Sequence, residues 1–504
     1  MKKETLQNQS SWATDTKSAL QVMLIALPLS IGISIAAGAP PLAGLLTASI
    51  GAILASVAIY IIGGSGLTIK GPAAGLIVVI AAVILHMGYE NSLGVFVVAG
   101  IVQVVLGITG LGKRVLSLIS PAAIHGMLAA IGIIIISKQL YVWFGVATTD
   151  SEPLALITHL WYHIDAIKEE TFMVGFVGIA IMYMLYIMKR EGNEMAGKMP
   201  AALVAILVCT ALGLLIGKQH HIIIPHTLSF TMPHFDGIGT LVFWEYVIMI
   251  ALIGSLESLL TVKAIDPKAN LNNDLTAVGI ANTLVACIGG LPMISEVARS
   301  SANKSFGAQS TRSNLLHGIG VAVLIGLTFV VPILDYVPMA SLAAVLIFTG
   351  YRLASRSEFV HMWHKGRDQF IVFVATIIIT LLSDLLIGVV AGTLLHLAGN
   401  IRYGVKPKRL FKHGVELTED HGIYKLWVPD AVSIFHETSI IKAISSTPDD
   451  CEMDIDFSKC NIVDGGVLEA IQSTTANRII RIKYPENAKA LAGEFSTRFR
   501  PSAN

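Results

Sequence analysis

Charge is scarce in this sequence: Asp, Glu, Lys and Arg together make up 14% of its 504 residues. With 54% hydrophobic residues and a mean hydropathy of +0.70, so little charge excludes a soluble domain for most of the chain. A surplus of one sign is missing too. The formal net charge is +1 and the basic residues are spread through short loops, which sets aside a nucleic-acid partner. The four cysteines (Cys209, Cys287, Cys451, Cys460) show no CxxC spacing and no neighbouring His, so a disulfide framework or zinc site has no support. There is no HExxH, no GxxxxGK[ST] and no Ser/His/Asp set, so neither an enzyme nor a resident cofactor is expected. The His220-His221 pair has no acids at helical spacing and reads as a solvated loop.

What the chain does have is apolar runs. A helix needs about 20 apolar residues to cross a bilayer's hydrocarbon. About twelve runs approach that length: 18–37, 41–62, 92–111, 117–137, 171–188, 200–217, 242–263, 274–290, 314–333, 338–352, 368–384 and 385–400. Two more, 71–86 and 293–305, are too short to cross alone. The first run ends in Ala36-Ala-Gly-Ala-Pro40, whose small residues mimic a signal cleavage site. Its length, and the apolar run directly behind it, favour a first transmembrane helix.

Loop charges test the count, because Lys and Arg collect on the cytoplasmic side. With the N-terminus inside, the cytoplasmic connections hold Lys2, Lys3, Lys17, Lys113, Arg114, Lys189, Arg190, Lys198, Lys263, Lys268, Lys304, Arg312, Arg352, Arg356, Lys365 and Arg367. The other side holds only Lys138, Lys168 and Lys218. Dropping either short segment spoils this asymmetry, so fourteen segments are expected, in the inner (cytoplasmic) membrane with both termini cytoplasmic. Seven segments per half, an odd number, insert the second half upside down. Segments one and eight start about 224 residues apart, and the two short segments repeat that offset, which is the mark of an inverted repeat.

The short segments are Ser65-Gly-Leu-Thr-Ile-Lys-Gly-Pro72, running into Ala-Ala-Gly-Leu-Ile-Val-Val-Ile80, and Gly289-Gly-Leu-Pro-Met-Ile-Ser-Glu-Val-Ala-Arg299. Paired Gly/Pro-broken segments of this kind point to a secondary transporter's substrate site. The first is expected to turn helical near Gly71-Pro72, with Pro72 as the first helical residue, and the second near Pro292 to Ser295, with Ser295 and Glu296 as cap and first-turn acid. Two helix N-termini facing each other offer an anion about one unit of positive charge. Ionisable residues inside a membrane need a reason. Glu257 lies mid-helix in the eighth segment with Thr261 one turn on, a face suited to a cation, a proton or the substrate. Lys70 precedes Pro72 on the same side of the extended stretch as Thr68, and Arg299 lies one turn below Ser295. Each is a candidate anion contact, and each is also placed to snorkel toward the cytoplasmic interface. Summing the helix ends, Lys70, Arg299, Glu257 and Glu296 leaves a site near +1. That suits a monoanion, and protonating one glutamate makes room for a dianion.

Beyond residue 400 polar and apolar residues alternate. Residues 401–414 form a basic linker, and 415–504 a small α/β domain with strands at 415–418, 422–428, 452–457 and 478–483 and helices at 435–446, 466–474 and 487–495. The remaining division is an N-terminal cytoplasmic segment, 1–17, and a transport domain, 18–400.

Gly71-Pro-Ala-Ala-Gly75, Ser255-Leu-Glu-Ser-Leu-Leu-Thr261, Asn273-Asp-Leu-Thr-Ala-Val-Gly-Ile-Ala-Asn282, Gly289-Gly-Leu-Pro292 and Arg299-Ser-Ser-Ala-Asn303 together resemble the bacterial SulP (sulfate permease) family of anion transporters. The resemblance covers essentially the whole chain. It implies an α-helical polytopic membrane protein with a seven-plus-seven inverted repeat divided into core and gate, followed by a cytoplasmic STAS-like domain. It also implies elevator-type alternating access, a homodimer and a cytoplasmic partner for the STAS-like domain. By position it implies anion contacts at Lys70, Gly71 and Ala73 in the third segment and at Ser295, Glu296, Val297 and Arg299 in the tenth, with Glu257 and Thr261 as coupling-ion residues. Sodium-using members often carry Asp where this chain has Glu257, which favours protons. The usual Asp-Ser-Ser-Gly turn of the STAS domain reads Val463-Asp-Gly-Gly466, which lacks the hydroxyl a phosphorylation switch needs. The expected function is secondary transport of a small inorganic anion, sulfate or bicarbonate, coupled to H+ or Na+. The alternatives are a passive anion channel, an exchanger or sensor, and a nucleobase-type symporter of the same fold.

Overall fold

Inside a membrane a backbone N–H or C=O finds no water, so an apolar run satisfies its own polar groups by coiling. Each apolar run of this chain does so: α1 Lys2–Ala36, α2 Pro41–Ile62, α3 Ala74–Met87, α4 Tyr89–Ile108, α5 Pro121–Phe144, α6 Glu169–Arg190, α7 Ala201–Ile216, α8 Leu241–Ile265, α9 Leu271–Ala286, α10 Val297–Ser305, α11 Arg312–Thr328, α12 Met339–Leu353, α13 Arg367–Leu382 and α14 Leu385–Arg402. Among the described residues six are long and apolar enough to cross a membrane: α2, α4, α5, α6, α8 and α1 from Trp12 onward. The helix of α1 reaches back to Lys2, so the polar stretch ahead of residue 18 is helical as well. α2 carries one π-helical turn, Thr47–Gly51.

These elements come from a computed structural model, which describes residues 2–112, 119–146, 153–193, 195, 199–217, 230–328, 336–383, 385–402, 415–420, 423–428, 432, 434–448, 451–458, 460, 467–468, 471 and 479–483, with backbone alone for 2–11, 298, 400, 402, 420, 434–435, 437–438 and 479–480. Lys113, Arg114, Lys198, Lys218, the His220-His221 pair, residues 403–414 of the linker, the Val463–Gly466 turn, most of the 466–474 helix and the expected helix at 487–495 lie outside the described residues. The chain divides into two compact units, Met1–Lys113 with Ile131–Arg352, and Arg114–Ala130 with Leu353–Asn504.

In the first unit, glycines let helices meet backbone to backbone. A Cβ on Gly100 of α4 would stand 2.6 Å from the Thr283 amide nitrogen of α9, and one on Gly279 of α9 would stand 2.6 Å from the Val104 amide nitrogen of α4. The counterpart pair in the other half, α11 on α2, meets the same way: a Cβ on Gly318 would lie 2.8 Å from the Ser49 carbonyl oxygen. Four helices so clamped leave room between them for the two broken segments.

Those segments pair with each other. β1 (Lys70–Pro72) and β2 (Met293–Ser295) form a two-stranded antiparallel ribbon with Lys70 opposite Ser295, Gly71 opposite Ile294 and Pro72 opposite Met293. Ala73 N donates to Pro292 O and Glu296 N to Ile69 O at its ends. Hydrogen bonding alternates along an antiparallel pair, so Lys70, Pro72, Met293 and Ser295 point their backbone groups outward. Side chains meet them there. Lys70 N donates to Asn314 Oδ1 of α11 (3.0 Å), Ser295 N to Ser258 Oγ of α8 (3.1 Å) and Met293 N to Asn282 Oδ1 of α9 (2.7 Å). Asn282 Nδ2 returns a bond to Met293 O, and the Thr47 hydroxyl in the π turn of α2 brackets Leu291 by accepting from its N–H and donating to its carbonyl.

This corrects the expected helix starts. Pro72 ends a strand instead of opening a helix, because it occupies an outward-facing position where a missing N–H leaves no bond unmade. Ala73 is extended and helicity begins with a 3-10 turn at Ala74. Ser295 likewise closes β2, and α10 starts two residues later.

In the second unit, α13 and α14 approach through Gly388 and Gly392, each tight against a hydroxyl, Thr380 and Thr376 respectively. The C-terminal sheet has the order β3 (Glu416–Asp420), β4 (Ile423–Trp427), β5 (Glu452–Asp456), β6 (Ile479–Lys483), antiparallel at the first pairing and parallel at the next two. Helix α15 (Ile434–Ser445) contributes Ile440 and Ile444 to a core with Leu426, Met453 and Ile455. This is the small α/β domain of the expected fold class.

Asn282→Ala is expected to strip both bonds from Met293 and leave its buried N–H and C=O without partners, costing about 1–3 kcal/mol per group. Thermal unfolding of the purified variant checks this, and a midpoint equal to wild type would deny Asn282 that role.

Candidate functional site

The strand pair sends its helices in opposite directions, so the N-termini of α3 and α10 face one another across three residue pairs. All but one of the residues singled out from the sequence gather around this ribbon. Lys70, Gly71 and Ala73 lie in β1 and at its end, all buried. Ser295 ends β2, Glu296 follows it, and Arg299 sits in the first turn of α10. Glu257 and Thr261 lie one turn apart on α8, both buried, on either side of Ser258, which holds the Ser295 amide. Val297 is the exception: it is 53% exposed and stands clear of the packed residues.

Lys70 is fully buried, and its ammonium donates to Asp274 Oδ1 of α9 (2.9 Å) and to the Thr68 hydroxyl. Asp274, 1% exposed, also accepts from Ser65 N (2.9 Å) through Oδ1 and from Ser295 Oγ (3.2 Å) through Oδ2. Lys70 therefore joins the two halves of the chain as one member of an ion pair, and its charge is already matched. Asp274 is not among the site residues expected from the sequence. The signal was available: Lys70 is a cation placed inside a membrane, which calls for an acid, and Asp274 stands within one of the family-like motifs.

Each helix N-terminus holds a protein carboxylate. At α10 it is Glu296, not Ser295, that caps: Oε2 accepts from Arg299 N at 2.9 Å. At α3, which has no side-chain cap, the Glu257 carboxylate rests against Gly75 so closely that a Cβ there would lie 1.6 Å from Oε1. Both Glu257 oxygens are buried without a hydrogen-bond partner. The positive helix ends are thus occupied by negative groups that compete with any incoming anion.

Arg299 is fully buried, and none of its three side-chain nitrogens makes a hydrogen bond. Nε lies 3.5 Å from Glu296 Oε2. The guanidinium crosses Gly71, where a Cβ would lie 2.1 Å from Nη1. Gly71 and Gly75 are therefore glycine for the same reason: each makes room in the ribbon-to-helix joint for an ionisable side chain from the opposite half.

With Asp274 included, the charges sum differently from the sequence count. Lys70 and Asp274 cancel, Arg299 and Glu296 cancel, and the two helix ends contribute about +1 against the −1 of an ionised Glu257. The assembly is near neutral with Glu257 ionised and near +1 when a cation or proton joins it. Among the described residues no group of His, Cys, Asp or Glu is arranged to hold a metal.

Gly75→Ala is expected to lower the thermal midpoint by displacing the Glu257 carboxylate, and adding Glu257→Ala should restore most of the loss. No rescue in the double variant would refute the contact. Lys70→Met alone leaves Asp274 buried and unpaired and should cost about 3–5 kcal/mol. Lys70→Met with Asp274→Leu should recover more than half of that in denaturant unfolding.

Residues 13–376 match the sulfate permease family. Among relatives, YvdB of Bacillus subtilis, named as a candidate sulfate transporter, is 29% identical over 403 residues, covering 77% of this chain and 73% of its own. The transmembrane domain of a cyanobacterial bicarbonate transporter, BicA, superposes with a TM-score of 0.66 at 23% identity, covering 75% of this chain and 97% of that one. The structure of SLC26A9 superposes with a TM-score of 0.68 at 13% identity, covering 94% and 84%. At these identities the two structures establish a shared fold.

Proposed function

The chain belongs to the sulfate permease family, and from that premise we propose that it is a secondary active transporter of a small inorganic anion, sulfate or bicarbonate, driven by H+ or Na+. The observation that carries this reading is the opposition of Glu257 and Arg299 at the ribbon. One is a buried carboxylate without a partner at the α3 N-terminus, the other a buried guanidinium without hydrogen bonds at the α10 N-terminus. With Glu257 ionised the site has no net charge to give an anion. A proton or Na+ at Glu257, with Thr261 beside it, cancels that carboxylate and leaves about +1 at the helix ends. Cation and anion therefore favour each other's binding, which is what symport requires.

In this reading the anion meets the N-terminal turns at Gly71, Ala73, Ser295, Glu296 and Val297, with Arg299 as its charged contact and Lys70 holding β1 in place. The β1–β2 ribbon with α3 and α10 moves as a body against a gate, an elevator cycle, in a homodimer of the inner membrane with both termini cytoplasmic. The domain division is 1–17, 18–400, 401–414 and 415–504, with a cytoplasmic partner for the STAS-like domain. A passive channel is the competing reading. It differs in showing no stimulation of uptake by anion on the far side, whereas a sensor moves nothing.

In proteoliposomes, labelled sulfate and bicarbonate uptake is expected to rise at least tenfold when a proton or sodium gradient is imposed, and counterflow is expected without a gradient. Glu257→Gln should lose gradient-driven accumulation while retaining measurable counterflow. Accumulation by Glu257→Gln at the wild-type level would remove the acid from the coupling step.

A further inference from the structure

One buried titratable group beside the site has no part in the mechanism so far. His317 lies in α11, fully buried, and neither ring nitrogen has a hydrogen-bond partner. Fourteen buried side-chain polar atoms among the described residues lack a partner, and seven of them belong to Glu257, Arg299 and His317. Each such atom is destabilising unless a partner arrives. A concentration of half of them in three neighbouring side chains marks a place where something other than the protein completes the hydrogen bonding.

Local packing puts His317 beside Arg299. Asn314, one turn earlier on the same face of α11, accepts from Lys70 N and donates to Ser56 Oγ and Ala52 O of α2. That fixes α11 against β1 at Lys70. Arg299 crosses the next residue, Gly71, which brings the guanidinium to the same end of β1 that α11 packs on. Glu296 lies 3.5 Å from Arg299 Nε on the same helix, and among the described residues the other titratable groups around α11 are turned elsewhere. α11 packs against α1 and α2, whose titratable groups among the described side chains are Asp15, Lys17 and Tyr60. Asp15 is turned to Gln309 and Ser310, while Lys17 and Tyr60 are exposed. On α11 itself Arg312 lies over the Trp12 ring, and Lys70 of β1 is paired with Asp274.

We propose that His317 is the second proton acceptor of the anion site, taking a proton from solution on its lone-pair ring nitrogen when a dianion binds at Arg299. The inference rests on the transport reading and extends it to substrate valence. A cation at Glu257 balances a monoanion. A dianion brings one further negative charge, and His317 is the neutral base next to Arg299 where a compensating proton is held. Glu296 already offsets the guanidinium from one side, so a dianion at Arg299 leaves an excess of negative charge beside the ring, and a proton on the imidazole balances it. The neutral imidazole offers one N–H donor and one acceptor, the imidazolium two donors, so protonation also improves the match to an oxyanion's acceptor-only surface.

The test uses purified full-length protein in detergent and sulfate as the probe. Calorimetric titration in two buffers of different ionisation heat, from pH 6 to pH 8, gives the protons taken up per sulfate bound. Each proton taken up strengthens affinity up to about tenfold per unit fall in pH. Wild type is expected to take up more protons with sulfate than with nitrate, a monoanion, and His317→Gln and His317→Asn are each expected to lose that excess, flattening the sulfate slope by up to tenfold per pH unit. Loss of the excess in a variant that still binds sulfate supports the proposal, since a merely structural role does not change a proton count. An unchanged excess in either variant overturns it, as does a wild type that takes up equal numbers with both anions, a comparison that needs no variant to fold. A wild type that binds neither sulfate nor bicarbonate overturns the transport reading and this inference with it, an outcome distinct from the others.

Discussion

Two stretches of extended backbone run through a part of the chain that is otherwise helical, and everything around them answers the need to satisfy their polar groups. A lone strand in an apolar interior leaves half its N–H and C=O groups bare, at a cost no transporter fold can carry unaided. Here the strands satisfy each other along their facing edges, and Asn282, Asn314, Ser258 and Thr47 satisfy the outer edges from four different helices. The clamped glycine contacts between α4 and α9 and between α2 and α11 bring three of those helices, α9, α2 and α11, close enough to do it. The positive helix ends, the buried acids and the buried base come with the ribbon; they are what remains after its hydrogen bonds are made.

The architecture was largely legible from the sequence because it is written in long-wavelength signals. Apolar runs set the helices, Lys and Arg in the loops set their count, and the repeated offset related the halves. The site was legible at the level of which residues meet, since Lys70, Gly71, Glu257, Ser295, Glu296 and Arg299 do converge on the ribbon. What they do to one another was not. The pairing of Lys70 with Asp274 joins residues 204 apart, and no periodicity within either segment encodes it. Pro72 was misplaced for a similar reason. A proline at a strand-to-helix junction suits a first helical turn and an outward-facing strand position equally well, and only the register with Met293 decides. The capping role went to Glu296 instead of Ser295 because the Ser295 hydroxyl is claimed by Asp274.

Glycine placement ties charge to backbone in this protein. Gly71 and Gly75 each admit an ionisable side chain to within contact of a strand or a helix start, so charge acts on the backbone dipoles over the shortest distance available. At such range, in surroundings of low polarity, a change of one unit of charge on Glu257 or beside Arg299 outweighs many weaker contacts.

The ribbon also says something about how the protein is made. Lys70 and Pro72 leave the ribosome more than two hundred residues before the strand that satisfies them, and Asn314, which holds the Lys70 amide, follows later still. At about 5–20 residues per second, β1 waits roughly ten seconds to three-quarters of a minute for its partner. During that interval the first half has a half-length helix and a bare strand that no bilayer accepts. The early chain must therefore be kept in a watery or proteinaceous shelter, and the two halves become a membrane protein together or not at all.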